Sequence, residues 1–249
     1  MSLLLTSPPA TAAHAQTRGS PAAAISALQG EFARRSGVVF SQRIRRGSGE
    51  GAVLTVAHGK RRFVPKTGMY AVDVSTCSTF ARGGDPIRSR TVQVGRDIYS
   101  QGDWTDVPQG KKWVHREDTD ALRWTRHLIE PLNPEFLRLI SPGAKRISTR
   151  DRYDGVRTTR YDGSVQVDHL SSYWADHLYG TGAWTGGRIR WKLWLGPDDL
   201  PRRFQAEIIT EPYGPEEKAD AVRMNVLYKG WRAPVRIQIP PENQVAEAE

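Results

Sequence analysis

Two Asp-His pairs, Asp168-His169 and Asp176-His177, are the groups in this chain whose types and spacing could do chemistry. A carboxylate beside an imidazole can orient it for proton transfer or hold it as a metal ligand. On a helix, a spacing of eight sets His169 and His177 on roughly one face but about 12 Å apart along the axis, too far for one ion. The pairs therefore read as exposed helix residues. Cys77 is the only cysteine, which excludes an internal disulfide and a thiolate zinc cluster. It lies on the strand face of Ala71, Asp73 and Ser75 and reads as a small strand residue. Gly47-Ser-Gly-Glu-Gly51 lacks the spacing and the lysine of a phosphate loop, so it is a hairpin turn. The chain has no Gly-x-Ser-x-Gly elbow, His-Glu-x-x-His motif or Walker lysine. No catalytic residue is assigned, and no metal or cofactor is expected.

The tryptophans say more. Trp174, Trp184, Trp191, Trp194 and Trp231 gather in the last third of the chain. Rigid aromatic faces brought together there would suit a long apolar ligand, although each ring can equally be core packing. The element that must position them is the stretch Gly187–Ile209. Ile189, Trp191, Leu193 and Leu195 alternate with Arg188, Arg190, Lys192 and Trp194, the period of a strand with one buried face. Gly196-Pro-Asp-Asp199 supplies a reversal, and Phe204, Ala206 and Ile208 then alternate with Arg203, Gln205 and Glu207. This is a long antiparallel hairpin.

Around it, Ser20-Pro21 caps a helix carrying Ile25, Leu28 and Phe32 and stopped at Gly37. Alternating segments follow at 38–44, 53–58, 70–76 and 91–99, then again at 156–161, 165–167, 222–228 and 235–239. Helical spacing marks 117–129, the turn after Asn133-Pro134, and 168–179. Helices this sparse cannot serve as crossovers between parallel strands, so the class is α+β with an antiparallel sheet and helices on one face. At 249 residues, one domain can hold it all.

Residues 1–19 are rich in Ala, Ser, Thr and Pro. Leu3-Leu-Leu5 and Ala13-His-Ala15 resemble the end of a signal peptide, but a basic start and a long apolar core are missing. The stretch reads as a disordered tail or a signal-peptide remnant. The protein is expected outside the cytoplasm if its true start lies upstream, and in the cytoplasm otherwise. The domain runs over 20–241, and 242–249 form an acidic tail. No run approaches about 18 apolar residues, so no transmembrane helix is expected. The net charge of +9 comes from basic pairs dispersed along the chain. With no nucleic-acid motif beside them, they read as a solvated basic face without a specific nucleic-acid partner.

Several pieces together resemble the LolA-like superfamily, closest to the LppX-type lipoproteins of actinobacteria. They are Val94-Gly-Arg-Asp-Ile-Tyr99, Gly110-Lys-Lys-Trp113, Asn133-Pro134 and Gly155-Val-Arg-Thr-Thr-Arg-Tyr161, then Trp194-Leu195 with Leu200-Pro-Arg-Arg203 and the closing Tyr228–Pro241. The resemblance implies a curved antiparallel sheet, a half-barrel, with a few helices on its concave face and a lipid cavity between them. It makes 168–187 a candidate lid carrying Trp174 and Trp184. Phe40, Ile189, Trp191, Leu193, Phe204 and Tyr228 are the candidate cavity lining. The expected partner is a lipid or another hydrophobic small molecule. Two functions fit: a carrier of a long apolar ligand, or a cofactor-free cyclase that folds a polyketide or polyether precursor, since catalysis by orientation needs no triad or metal. Removing residues 1–19 is expected to leave the thermal midpoint nearly unchanged, and a fall of more than a few degrees would move the domain boundary upstream.

Overall fold

Ser20 is extended, and its hydroxyl accepts from the Ala23 backbone N–H at 3.0 Å. Pro21 follows where a helix has no use for an N–H, so α1 (Pro21–Arg34) begins there. It ends on Arg35, which takes the left-handed turn at φ 54°. Gly37, expected as the stop, instead opens the next strand. Its bare Cα admits the last stretch of the chain, because an added Cβ would lie 2.5 Å from the Val235 side chain. The backbone N–H of Gly19 is also engaged, donating to Asp199 at 2.7 Å.

The structure is a computed structural model that describes residues 19–64, 70–117, 129–147, 150–166, 169, 187–210 and 221–248. Six strands follow α1: β1 (Gly37–Arg46), β2 (Val53–Phe63), β3 (Tyr70–Phe80), β4 (Ile87–Val94), β5 (Asp97–Gly102) and β6 (Trp113–Glu117). The short α2 (Pro134–Ile140) is capped by Asn133, whose Oδ1 accepts from the Glu135 N–H at 2.8 Å. Then come β7 (Lys145–Ile147), β8 (Arg152–Tyr153), β9 (Val156–Arg157), β10 (Thr159–Gln166), β11 (Gly187–Leu195), β12 (Pro201–Thr210), β13 (Ala221–Lys229) and β14 (Val245–Glu247). Twelve strands form one curved open sheet in the order β14-β6-β5-β4-β3-β2-β1-β13-β12-β11-β10-β7, and β8 and β9 form a separate ribbon. Every neighbouring pair is antiparallel except β14 with β6. The class is α+β, as the sequence implies. Among the described residues no helix is long and apolar enough to cross a membrane.

Alternation decides the two faces. On β11, Ile189, Trp191, Leu193 and Leu195 are buried while Arg188, Arg190 and Lys192 are exposed. The turn after it closes through Gly196 N–H to Leu200 O at 3.0 Å, and both Asp198 oxygens hold the Arg202 guanidinium at 3.0 Å. Trp194 breaks the pattern, being buried on the polar face. Its indole donates to Asp151 at 2.8 Å, with Arg203 over its ring at 4.9 Å and Tyr153 of the ribbon edge-on.

Helices and sheet meet through rings. Phe32 of α1 lies 4.6 Å from Phe63 of β2, and Phe136 of α2 meets Phe204 of β12 edge-on at 6.4 Å. Trp231 stacks on Phe63 at 5.9 Å, and its indole donates to Pro201 O at 2.7 Å.

Three sequence readings change. Residues 235–239 make no ladder; Pro234 and Pro240 flank them, and they run beside Gly37 as irregular chain. The acidic end is structured, with a 3-10 turn at Glu242–Gln244 and then β14. The expected helix at 117–129 is not seen at its ends, since Glu117 closes β6 and Ile129 is irregular. Its middle, and the expected helix at 168–179 apart from His169, lie outside the described residues.

Gly163 on β10 faces Trp191 so closely that an added Cβ would sit 2.2 Å from the indole ring. Gly163→Ala is expected to lower stability by about 1–3 kcal/mol through overpacking. An unchanged thermal midpoint would mean that the Trp191 ring has room to move.

Candidate functional site

The register brings the described cavity candidates together on four adjacent strands. Phe40 of β1 stands opposite Tyr228 of β13, and Phe204 of β12 opposite Leu193 of β11. Trp191 and Ile189 continue the same face of β11. All six are buried at 0–2% exposure, within one cluster with Leu28, Phe32, Leu132, Phe136 and Ile140 of the helical layer. Trp174 and Trp184 lie outside the described residues, as do Asp168, Asp176 and His177. His169 is exposed.

Trp191 carries the one polar atom of these six that is at odds with its surroundings: its buried Nε1 has no hydrogen-bond partner among the described residues. An unpaired donor in an apolar interior costs about 1–3 kcal/mol. The same face and the helical layer over it hold other polar groups, each with at least one partner. Gln42 donates to the Met224 sulfur at 3.1 Å. Arg61 is ion-paired with Glu130, the two side chains being 5% and 2% exposed, and its guanidinium also lies 4.7 Å over the Phe40 ring. Glu130 in turn accepts from the Leu132 N–H at 3.1 Å. Fully buried Glu31 binds Arg34 at 2.7 Å and Arg232 at 2.8 Å. Burial pushes the Glu31 carboxyl up, but hydrogen bonding from Ser36, Arg232 and Arg34 and the Arg232 charge outweigh it and hold it below the ordinary value. The sequence reading missed these ions. A signal existed for Arg61, which alternates with Gly59 and Phe63 on the inward face of β2.

The opposite face is polar and holds two open depressions, of about 930 Å³ and about 720 Å³. Arginines, lysines, Gln205 and Asn225 line the larger one. Cys77 is half-buried beside the smaller one, between Val56 and Arg88 on neighbouring strands. Among the described residues no group of three His, Cys, Asp or Glu side chains is placed to hold a metal ion.

No family model and no curated protein matches the chain. Among solved structures, LprF from Mycobacterium bovis aligns over 87% of this chain and 96% of its own, at 12% identity and a TM-score of 0.47. A DUF1329 family protein from Desulfovibrio piger aligns over 88% and 95%, at 9% identity and a TM-score of 0.29.

His115 clasps the C-terminal strand. Its Nδ1 meets Glu247 of β14 at 2.7 Å and its Nε2 meets Asp97 of β5 at 3.0 Å, beneath the Tyr99 ring. Burial disfavours its charge, but hydrogen bonds to Glu247 and Asp97 and their charges outweigh this and raise its pKa. A pKa raised by folding gives stability that is whole below the free histidine value, about 6.5, and is lost as pH rises through the folded value. Amide protection of 245–247, corrected for intrinsic exchange, is therefore expected to be whole below about pH 6.5 and to fall as pH rises above it. His115→Gln should remove that dependence, and equal protection across the range would refute the clasp.

Proposed function

We propose that this protein is a carrier that holds a long hydrophobic molecule, a lipid or polyketide-like chain, between the apolar face of the sheet and its helices. The observation that carries the reading is the continuous apolar face that four adjacent strands turn toward the helices. Among the described residues the helices that meet it are α1 and α2, with Leu28, Phe32, Phe136 and Ile140 in the cluster they share with the sheet. The face beneath is continuous and apolar from Phe40 and Tyr228 to Phe204, Leu193 and Trp191. In its midst the unpaired Trp191 N–H is a ready donor for a carboxyl or carbonyl oxygen on the incoming chain. Each buried methylene would add about 0.8 kcal/mol before ordering costs, so a C16 chain has enough to gain to displace side chains.

Titration with hexadecanoate, read by tryptophan emission, is expected to give a saturable shift or quench. Trp191→Phe should weaken binding about three- to tenfold, the worth of one hydrogen bond, with the packing lost by the smaller ring set against the removal of an unpaired donor in stability. No saturable binding of C16–C18 chains would overturn the carrier.

A further inference from the structure

The sheet face turned away from the helices carries cations in an order that the carrier reading does not use. Register aligns Leu54, Arg45, Arg223, Glu207, Arg190 and Ser164 in one row across six strands, from β2 to β10. A parallel row two residues along contains Arg43, Lys192 and Lys145, with the amides of Asn225 and Gln205 between them. The 930 Å³ depression lies among these side chains, and Arg188 adds a further cation. Both acids there are engaged, Glu207 with Arg223 and Asp162 with Arg160, each at 2.8 Å. Arg43, Arg45, Arg188, Arg190, Lys192 and Lys145 have no carboxylate partner among the described residues. Arg45 and Arg223 even stand directly opposite each other across β1 and β13, a placement that works against the sheet.

The basic face does not end there. It passes through Val56 and Cys77 to the 720 Å³ depression, where Arg88, Lys111 and Lys112 stand. The loop beside it, between β5 and β6, exposes Trp104 at 78%. At about 4.8 Å per strand the cations spread over more than 25 Å, wider than one small anion needs. Single-stranded nucleic acid would want exposed rings to stack on, yet Trp191 and Trp194, the tryptophans of this part of the sheet, are 2% and 3% exposed. Spread cations with neutral amides between them and an exposed indole at the margin fit phosphate headgroups at a membrane surface. We propose that this face docks the protein on an anionic lipid bilayer, its arginines and lysines on the headgroups and Trp104 at the interface. The inference stands independently of the carrier reading, which uses the other face.

Co-sedimentation with vesicles tests it. The protein is expected to bind vesicles containing one-third phosphatidylglycerol, to leave them at high salt, and to ignore pure phosphatidylcholine. The triple variant R45Q/R190Q/K192Q should keep its thermal midpoint and lose affinity about a hundredfold, at about fivefold per cation. Trp104→Ala should weaken binding at unchanged stability, and Trp191→Phe should bind vesicles as the wild type does. Equal binding to neutral vesicles, no binding to anionic ones, or undiminished binding by the triple variant would overturn the proposal. So would RNA binding at physiological salt without vesicle binding, which would make the face a nucleic-acid surface, or displacement by millimolar free phosphate, which would make it a small-anion site.

Discussion

The pairing of β1 with β13 is the interaction on which the rest of the molecule depends. Either side of it, strands join near neighbours in the chain: β1 to β6 form one meander, and β10 to β13 another. Among the described strands this seam alone pairs the two, across separations such as the 182 residues between Gln42 and Met224. Closing so long a loop is entropically expensive and slow, so the seam has to be well rewarded. The reward is asymmetric. Phe40 meets Tyr228 on the buried side, while Arg45 opposes Arg223 on the wet side. The apolar pair holds the two meanders in register, and that register then fixes which cations become neighbours.

Ions also govern how the helical layer sits. Glu31 is inside α1's buried stripe, yet it binds Arg232 from the far end of the chain. Arg61 reaches inward from β2 to Glu130 just ahead of α2. Charges of this kind are costly to bury and return little net stability, but they tolerate only one arrangement. They fix where helices resting on ring contacts belong.

Much of this fold is legible in the residues, and where it is not, the reason is physical. The hairpin from Gly187 to Ile209 reads directly because its alternation is unbroken and its turn residues are specific. Asn133-Pro134 reads equally well, since a cap is a local matter. β14 does not: three residues in a parallel pairing have no periodic signal, and their place is set by a histidine more than a hundred positions away. The stretch 235–239 alternates like a strand but is flanked by prolines and never pairs. The basic face is the instructive failure. Arg45, Arg190 and Arg223 are far apart in the chain and look scattered, whereas strand register sets them in one row. Dispersal along a sequence is a poor guide to dispersal on a sheet. The six cavity candidates were brought together because they share one face of adjacent strands, and alternation predicts faces well.

An open sheet of twelve strands has two raw edges, each a row of unpaired backbone groups that can recruit another chain into a growing ribbon. Here the protein stoppers one of them with Val245–Glu247, laid as β14 along β6. The other edge, β7, is only three residues long and carries Lys145 and Arg146, too short and too charged to be a good template. The acidic end of the chain thus doubles as a guard against self-assembly. Losing β14 would change little in the core, yet it would bare β6 and offer its unpaired backbone groups to a neighbouring chain as a seed for aggregation.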